Sequence, residues 1–579
     1  LYGNRLFLRS CDDRQAVFET EKESLLPATR SHSDITPAIK FRKLDARLNL
    51  LWKDFNDLKS EVFSMKQVSI LNNVIGPVMR GPSSSHTAGP WRIGLIARDL
   101  LGEPPTRASL FFHPDSSLAV CYHDQGSDLA FVTGLLGRNL TDSKFPLMLE
   151  EAHREGVAVT FGLKAFPEAD HPNSALLEAT GPSGKSVRIH ARSVGGGSIE
   201  IASVNGFSVF MAGDRYVMIL ETEPEKVQST LSLLRKWDKN PSTTKRDGRT
   251  ACLGTSFFEP TKEFIEEVKN TPSVLSSHFA RPVMLPPCGK ETFLDIREMI
   301  EAAGNEGLTL GEAAMASEAS LLGLPGKELQ QEMDFRLSVM LESVERGLVD
   351  RNLKTKLVDP VAGDIYEAES KGELFLGGVH ARAAARSMAV MHVNGAGGVV
   401  CSAPTGGSAG VIPAVMATLL EDFGLSREKV LSCLWAAGVI GWALDKRSTF
   451  AAEVAGCQVE IGAAGAMGAA AVVEAAGGTA RQACDAAAMV FQNVMGSVCD
   501  LVQGIVEIPC HSRNAALASQ AFLAADLILG GYRNLVPLDE TIDAVDSVGR
   551  MLPAELRCTS RGGLALCPSA RRLPRRDLP

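Results

Sequence analysis

The chain has no surplus of positive charge: 59 Lys and Arg stand against 68 Asp and Glu, for a formal net charge of −9 and a pI near 5.8. Binding phosphates takes a basic surface, so a general nucleic-acid or anionic-membrane partner is not expected. A long uninterrupted apolar run is missing too. The best candidates, residues 433–444 and the Ala/Gly-rich stretch around Cys457, are too short or are broken by Glu453, Glu460 and Glu474, which argues against a bilayer span. The dense, regular cysteine spacing of a small secreted scaffold is absent. Twelve cysteines are scattered over 579 residues, so free thiols in a reducing compartment, the cytoplasm, are expected rather than disulfides. Asp12, Asp13, Glu19 and Glu21 occupy the region where a signal peptide needs its apolar core, so none is expected, and without an initiator Met the start reads as that of a fragment or a gene-model artefact. No repeat of fixed period runs through the chain.

What is present is enough to bury several cores. A length of 579 residues with 45% hydrophobic content suggests roughly three to four domains. Residues 1–65 are mixed and charged, with one amphipathic helix expected at 46–58, and read as an extension without recognisable chemistry. From Val68 the texture changes to short runs rich in β-branched and aromatic residues, at 110–113, 118–122, 157–161, 187–191 and 199–204. A helical spacing at Ile93, Ile96 and Leu100 accompanies them, and together they predict an α+β domain over 66–215. Residues 216–287 alternate strand, helix, strand, helix and a last short strand, which looks like a small ferredoxin-like module of the ACT kind. Residues 288–579 predict an all-α domain rich in Ala and Gly, whose small side chains let helices approach closely around a buried site. The expected fold is therefore multidomain, in three parts behind an extension.

Three groups of residues carry chemistry. Gly81-Pro82-Ser83-Ser84-Ser85-His86-Thr87-Ala88-Gly89 sets four hydroxyls and an imidazole just before a helix, where unpaired backbone N–H groups and the helix dipole favour an anion such as a carboxylate. The plainer reading, that Ser85 or Thr87 merely caps the helix, does not account for so many polar side chains in so few residues. Ala403-Pro404-Thr405-Gly406-Gly407-Ser408-Ala409-Gly410 has a similar design, with Thr405 and Gly407 the candidate ligand contacts; a tight turn between packed helices is the alternative. Cys401 just before it reads as a small hydrophobe rather than a ligand. Finally, Cys457, Cys499 and Cys510 are separated by 41 and then 10 residues, so they meet only by folding. Taken singly each is structural, and the spacing is not the tight Cys-x-x-Cys of ferredoxins or zinc sites. Arg513, three residues after Cys510, favours thiolate and would help balance an anionic cluster.

These segments, with His171-Pro172-Asn173-Ser174, Gly195-Gly196-Gly197-Ser198 and Arg561-Gly562-Gly563-Leu564-Ala565, resemble the iron–sulfur-dependent L-serine dehydratases over about residues 66–570. In two-subunit members of that family one chain carries the hydroxyl-rich loop and an ACT domain, and the other carries the cluster cysteines. This chain looks like both in tandem, joined near Pro287. The resemblance implies a [4Fe-4S] cluster on Cys457, Cys499 and Cys510 with one iron open to the substrate hydroxyl. It implies Ser83, Ser84, Ser85 and Thr87 around the substrate carboxylate, and pyruvate and ammonia as products. A base near Cα is needed for elimination, with His86 the first candidate and His171 the second. The expected partner is a small amino acid, with no nucleic acid and no membrane, and a homodimer is the expected assembly.

Departures from the family pattern bear on substrate and rate. Where relatives show Gly-His-Gly-Thr-Asp, this chain has Asp124-Gln125-Gly126-Ser127-Asp128, and glutamine is no proton acceptor. His123 next to it is expected to face away. Arg447-Ser448-Thr449-Phe450-Ala451-Ala452 replaces a segment that is usually Asn-Ala-Ser-Ile-Ser-Gly, and the ACT-like part lacks a glycine-bearing ligand loop after its first strand, so packing or dimerisation is its expected role. Other readings stand beside the dehydratase: a pyridoxal-phosphate enzyme using Gly195-Gly196-Gly197, for which no Schiff-base lysine motif is seen; a non-catalytic amino-acid-binding homologue; and a lyase for another hydroxy or thio amino acid.

Overall fold

The structure is a computed structural model and describes residues 66–576. The 1–65 extension, with the helix expected at 46–58, lies outside the described residues. The described part has mixed α/β content up to about residue 280 and is helical beyond it.

Six strands form one sheet in the order Ala158–Leu163, Arg107–Phe112, Ser174–Thr180, Ser186–Gly195, Ser198–Val204 and Phe207–Met211, with only the first pair parallel. Alternate residues such as Ala108, Leu110 and Phe112 point inward, as a half-covered strand requires, and meet Ile93, Ile96 and Leu100 from the helix Ala88–Leu101. That helix touches the helix Ser127–Leu135 backbone to backbone: a methyl group on Gly134 would lie 2.2 Å from the Trp91 carbonyl oxygen, and one on Gly94 2.5 Å from that of Phe131. Gly195-Gly196-Gly197 is the hairpin turn between two strands of the sheet.

One expected strand is a helix. Residues 118–121 belong to the helix Ser117–Cys121, with Tyr122 at its C-cap, because Ser116 accepts a hydrogen bond from the Ala119 amide at 3.0 Å and starts a turn that the apolar run alone does not signal. The strand Ser174–Thr180 escapes sequence reading for the opposite reason: Ala, Leu and Glu are helix formers, yet burial on both faces makes it a central strand.

Residues 216–280 form a second, four-stranded antiparallel sheet in the order Ser276–Ala280, Tyr216–Thr222, Arg249–Ser256, Ser242–Arg246. The helices Val227–Leu234 and Lys262–Asn270 pack on it through Leu231, Leu234, Phe264 and Val268. The βαββαβ order agrees with the alternation in the sequence, with one strand, Ser242–Arg246, added; its Ser, Thr, Lys and Arg composition gave no apolar signal.

In the helical part, the helix Ile461–Ala475 is the axis, buried at every position from 461 to 474 and flanked by Val411–Glu421, Arg427–Arg447, Ala480–Val494 and Cys510–Leu529. Its small side chains permit that enclosure. One short strand departs from the all-helical expectation: Val399–Cys401 pairs antiparallel with Val78–Arg80. The segment before Val78 also belongs to this core. Ile70, Leu71 and Val74 pack there, and the buried Glu318 carboxylate accepts from the Ser69 hydroxyl at 2.5 Å and from the Ile70 and Leu71 amides at 2.9 and 3.0 Å.

Among the described residues no helix is long and apolar enough to cross a membrane. The close helix pair gives a paired prediction. Gly134→Ala should cost about 1–3 kcal/mol by forcing the two helices apart. Gly304→Ala, in the helix Ile296–Glu306 with open space around the added methyl, should stabilise by about 0.5–1 kcal/mol. Denaturant or thermal unfolding of the two variants checks both signs.

Candidate active site

The ribbon of Val78–Arg80 and Val399–Cys401 sets two loops against one another. Residues 81–87 lead into the helix Ala88–Leu101, and residues 402–410 lead into Val411–Glu421. The Gly406 amide donates to Ser84 Oγ at 3.2 Å, and Asn394 Nδ2 donates to the Pro82 carbonyl at 2.7 Å. Ser84, Ser85, His86, Thr87 and Thr405 are all buried. Thr87 stands at the N-cap position but does not cap: its hydroxyl is turned to the Arg80 and Ser83 carbonyls, 2.9 and 2.8 Å away, and so ties the loop to itself. Helix capping therefore does not explain the hydroxyl-rich loop.

His86 lies at the centre of the arrangement. Its Nδ1 is 3.1 Å from Ser83 Oγ and 3.9 Å from Glu453 Oε1, and its Nε2 is 3.3 Å from Ser117 Oγ, which in turn reaches the Cys558 carbonyl at 3.4 Å. Burial pulls the imidazole below its ordinary value, while the Glu453 charge pulls the other way. His171 is likewise lowered by burial first and raised by Glu453, with Arg192, Glu200 and Asp170 acting after them, and its Nδ1 accepts from the Asn173 amide at 3.1 Å. Both histidines thus sense one buried carboxylate. Around them are buried polar atoms with no protein partner: both ends of the Asn173 amide, Ser193 Oγ and Glu453 Oε2. Such atoms mark a place where a polar ligand completes the hydrogen bonding.

The thiols form the other wall. Gly456, at φ 77°, carries the chain into Cys457 so close to residue 497 that a methyl group would lie 2.6 Å from the Ser497 carbonyl. The thiols of Cys457, Cys499 and Cys558 influence one another's ionisation, and the last two lie on backbones that run side by side: the Cys558 amide donates to the Cys499 carbonyl at 2.9 Å. Cys510 opens the helix Cys510–Leu529, within range of the Cys457 and Cys558 charges. One turn on, Asn514 Nδ2 donates to the Gly407 and Cys510 carbonyls, both at 2.9 Å, locking the second hydroxyl loop to the cysteine helix. Arg513 Nη1 is 3.7 Å from Cys457 Sγ, and Nη2 is 3.1 Å from Asp500. The Cys499 contact, with Arg513 behind it, holds the Cys457 thiol below its ordinary value, whereas burial pushes Cys510 well above. Among the described residues no three His, Cys, Asp or Glu converge to hold a single metal ion.

Glu460 closes the gap between the walls. Its carboxylate reaches the second loop, where a methyl group on Gly407 would lie 3.5 Å from Oε2, and burial followed by the Cys457 and Glu453 charges drives its carboxyl well above the usual range. The structure therefore brings Ser83, Ser84, Ser85, His86, Thr405, Gly407 and the three cysteines to one region, with His171 at its edge. Sequence reading passed over Glu453 and Glu460, noting them only as interruptions of an apolar run, yet two carboxylates inside an otherwise uncharged small-residue stretch were the available signal. Cys558, Ser117 and Asn514 gave no signal of their own. Cys401 is a core residue whose thiol burial pushes up to about 12.

Gln125 is buried, and its Nε2 donates to the Gly504 carbonyl at 2.9 Å. His123 does face away from it: the two lie in a turn, and His123 is exposed and pairs with Asp128 at 2.7 Å. The unusual 447–452 segment is an anchor, with Arg447 on Asp543 and Ser448 on Asp546 at 2.6 and 2.8 Å.

Residues 299–565 match the family model described as "Serine dehydratase alpha chain". The probable L-serine dehydratase alpha chain of Bacillus subtilis is 36% identical over 284 residues, which is 49% of this chain and 95% of that protein. The L-serine dehydratase alpha chain of Peptoniphilus asaccharolyticus is 35% identical over 282 residues, 48% of this chain and 96% of that one. The L-serine dehydratase of Mycobacterium bovis is 28% identical over 523 residues, spanning 84% of this chain and 95% of the relative, so the likeness extends through the sheet-containing part as well. With the alpha-chain relatives covered almost from end to end and a single-chain relative matched across both parts, this chain belongs to the serine dehydratase family, in its fused form.

Proposed function

We propose that the chain converts L-serine to pyruvate and ammonia, with a [4Fe-4S] cluster on Cys457, Cys499 and Cys510 and the substrate held between those thiols and the loops at 83–87 and 405–407. The observation that carries this reading is the run of hydrogen bonds by which Asn514 joins the Cys510 helix to the Gly407 carbonyl, the Gly406 amide joins that loop to Ser84, and Ser117 joins His86 to the Cys558 carbonyl, all in a buried region. The donor set suits the group. Buried sulfur donors, with Arg513 beside Cys457 to offset negative charge, are the donor type of an iron–sulfur centre. When bound, the cluster supplies a Lewis-acidic iron for the substrate's hydroxyl oxygen, a leaving group that needs one.

The chain's own residues do the rest. Ser84, Ser85 and Thr405, with the Gly407 backbone, take the substrate carboxylate. Thr87 spends its hydroxyl on holding that loop in shape. His86 is kept neutral by burial and so is able to accept the Cα proton at Nε2, the nitrogen on the Ser117 side; the imidazolium then lies 3.9 Å from Glu453, which stabilises it. Asn173, with both amide ends unpartnered, suits the substrate's ammonium and the water that follows. The released aminoacrylate tautomerises to an imine and hydrolyses. Residues 66–215 and 288–579 then act as the beta-type and alpha-type halves. The 216–287 part is an ACT-like packing module, since its first strand leads into the acidic Glu223-Pro224-Glu225-Lys226 turn rather than a glycine-bearing loop. A homodimer in the cytoplasm completes the reading.

Anaerobic reconstitution with iron and sulfide, followed by a pyruvate assay on L-serine, L-threonine and L-cysteine, tests the assignment. Cys499→Ala should lose the visible cluster absorption and at least roughly a thousandfold of turnover; survival of either removes the cluster from the proposal. His86→Gln should lower kcat by about 10²–10⁴, and His171→Asn by much less.

The pH profile gives a further check. Because burial lowers the His86 pKa, the acidic limb of kcat/KM should fall below the ordinary imidazole value of about 6.5. Glu453 raises that pKa, so Glu453→Gln should move the limb to still lower pH; a limb that stays put or moves upward dismisses His86 as the base.

A further inference from the structure

Outside the thiol site, a cavity of about 510 Å3 opens between the helix Ala88–Leu101, the helix Gly326–Val349 and the segment 281–285. Five charged side chains line it: Arg92, Arg281, Arg336, Asp99 and Glu332. The carboxylates are spoken for. Asp99 pairs with Arg281 at 2.7 Å, and Glu332 pairs with Arg336 at 2.7 Å on the same helix. Arg92 is left with no carboxylate, although it is only 4% exposed. Its Nη1 donates to the neutral Gly197 carbonyl at 2.7 Å, and its Nε has no partner; the Arg336 Nε is likewise buried and unpartnered. Burial and the neighbouring Arg336 charge pull the Arg92 guanidinium down to about 10, so it remains a cation at neutral pH.

A structural tie to the Gly197 turn would use one N–H of a five-donor fork and leave a buried charge uncompensated, an arrangement that is costly unless something anionic arrives. Two guanidiniums lining one cavity, each with an unpartnered N–H and together with their neighbours in excess by one positive charge, suit a carboxylate or phosphate. Trp91, Leu95 and Phe335 add apolar wall.

We propose that this cavity binds a small oxyanion, a carboxylate or a phosphate group, between Arg92 and Arg336, with any short apolar body against Trp91 and Phe335. The position matters for the rest of the molecule. Arg92 is little more than one helical turn past Thr87. Its second contact, the 195–197 turn, abuts the Ala451 backbone two residues before Glu453, so an occupant bears on both elements that lead to His86 and Glu453.

The test is isothermal titration of the full-length chain, at constant ionic strength, with inorganic phosphate and separately with propionate. One of the two should saturate in the millimolar range or tighter, and which one does so identifies the source of the oxyanion. Arg92→Met and Arg336→Met should each weaken binding by roughly tenfold or more. Ser84→Ala, in the hydroxyl loop, should leave it unchanged, which separates this cavity from the substrate site. Arg92→Lys keeps the charge without the fork, and weakened but measurable binding is expected even if Arg92→Met does not fold. Saturation by neither anion, undiminished binding in the Arg92 and Arg336 variants, or loss of binding in Ser84→Ala overturns the proposal.

Discussion

A ribbon of three residue pairs, Val78 with Cys401, Met79 with Val400 and Arg80 with Val399, is the constraint on which the site depends. Each strand ends where a hydroxyl-rich loop begins, and each loop runs into the first turn of a helix. Because the pairing fixes both loops in one frame, a serine oxygen of the first accepts from a backbone amide of the second, across 322 residues of sequence. Asn514 performs the corresponding task on the other side, spanning the second loop and the cysteine helix with a single side-chain amide. Two small hydrogen-bonded joints therefore set the distances among hydroxyls, imidazole and thiols.

The surroundings make such a site possible at a cost in solvation. Glu453, Glu460, His86 and the thiols are taken out of water within a core of Ala and Gly helices, where charged forms are penalised and neutral ones favoured. The same burial that lowers the His86 imidazole raises the Glu460 carboxyl, so both groups are shifted toward their uncharged forms. Arg513 is the compensating cation, tied to Asp500 on one side and facing Cys457 on the other.

Much of this was legible in the sequence where local chemistry was concentrated. The crowd of Ser, His and Thr at 83–87, the glycines at 406–407 and the Ala/Gly texture after Cys457 pointed to loops and close helices that the structure contains. What was not legible depended on tertiary placement. Residues 118–122 look like a strand until Ser116 caps them, and Ser174–Thr180 looks like nothing in particular until its neighbours bury it on both faces. Glu453 and Cys558 acquire meaning only from what lies beside them, since neither is close in sequence to the groups it touches.

The Glu318 carboxylate, with its three donors from residues 69–71, has a consequence for how the chain can be divided. The stretch ahead of the first sheet is stitched into the interior of the helices that come last, so a break in the connecting segment near residue 287 would yield fragments that each lack part of a shared interior. Such pieces would reassemble by complementation, at a rate set by their concentration. Covalent continuity replaces that bimolecular encounter with a fixed local concentration.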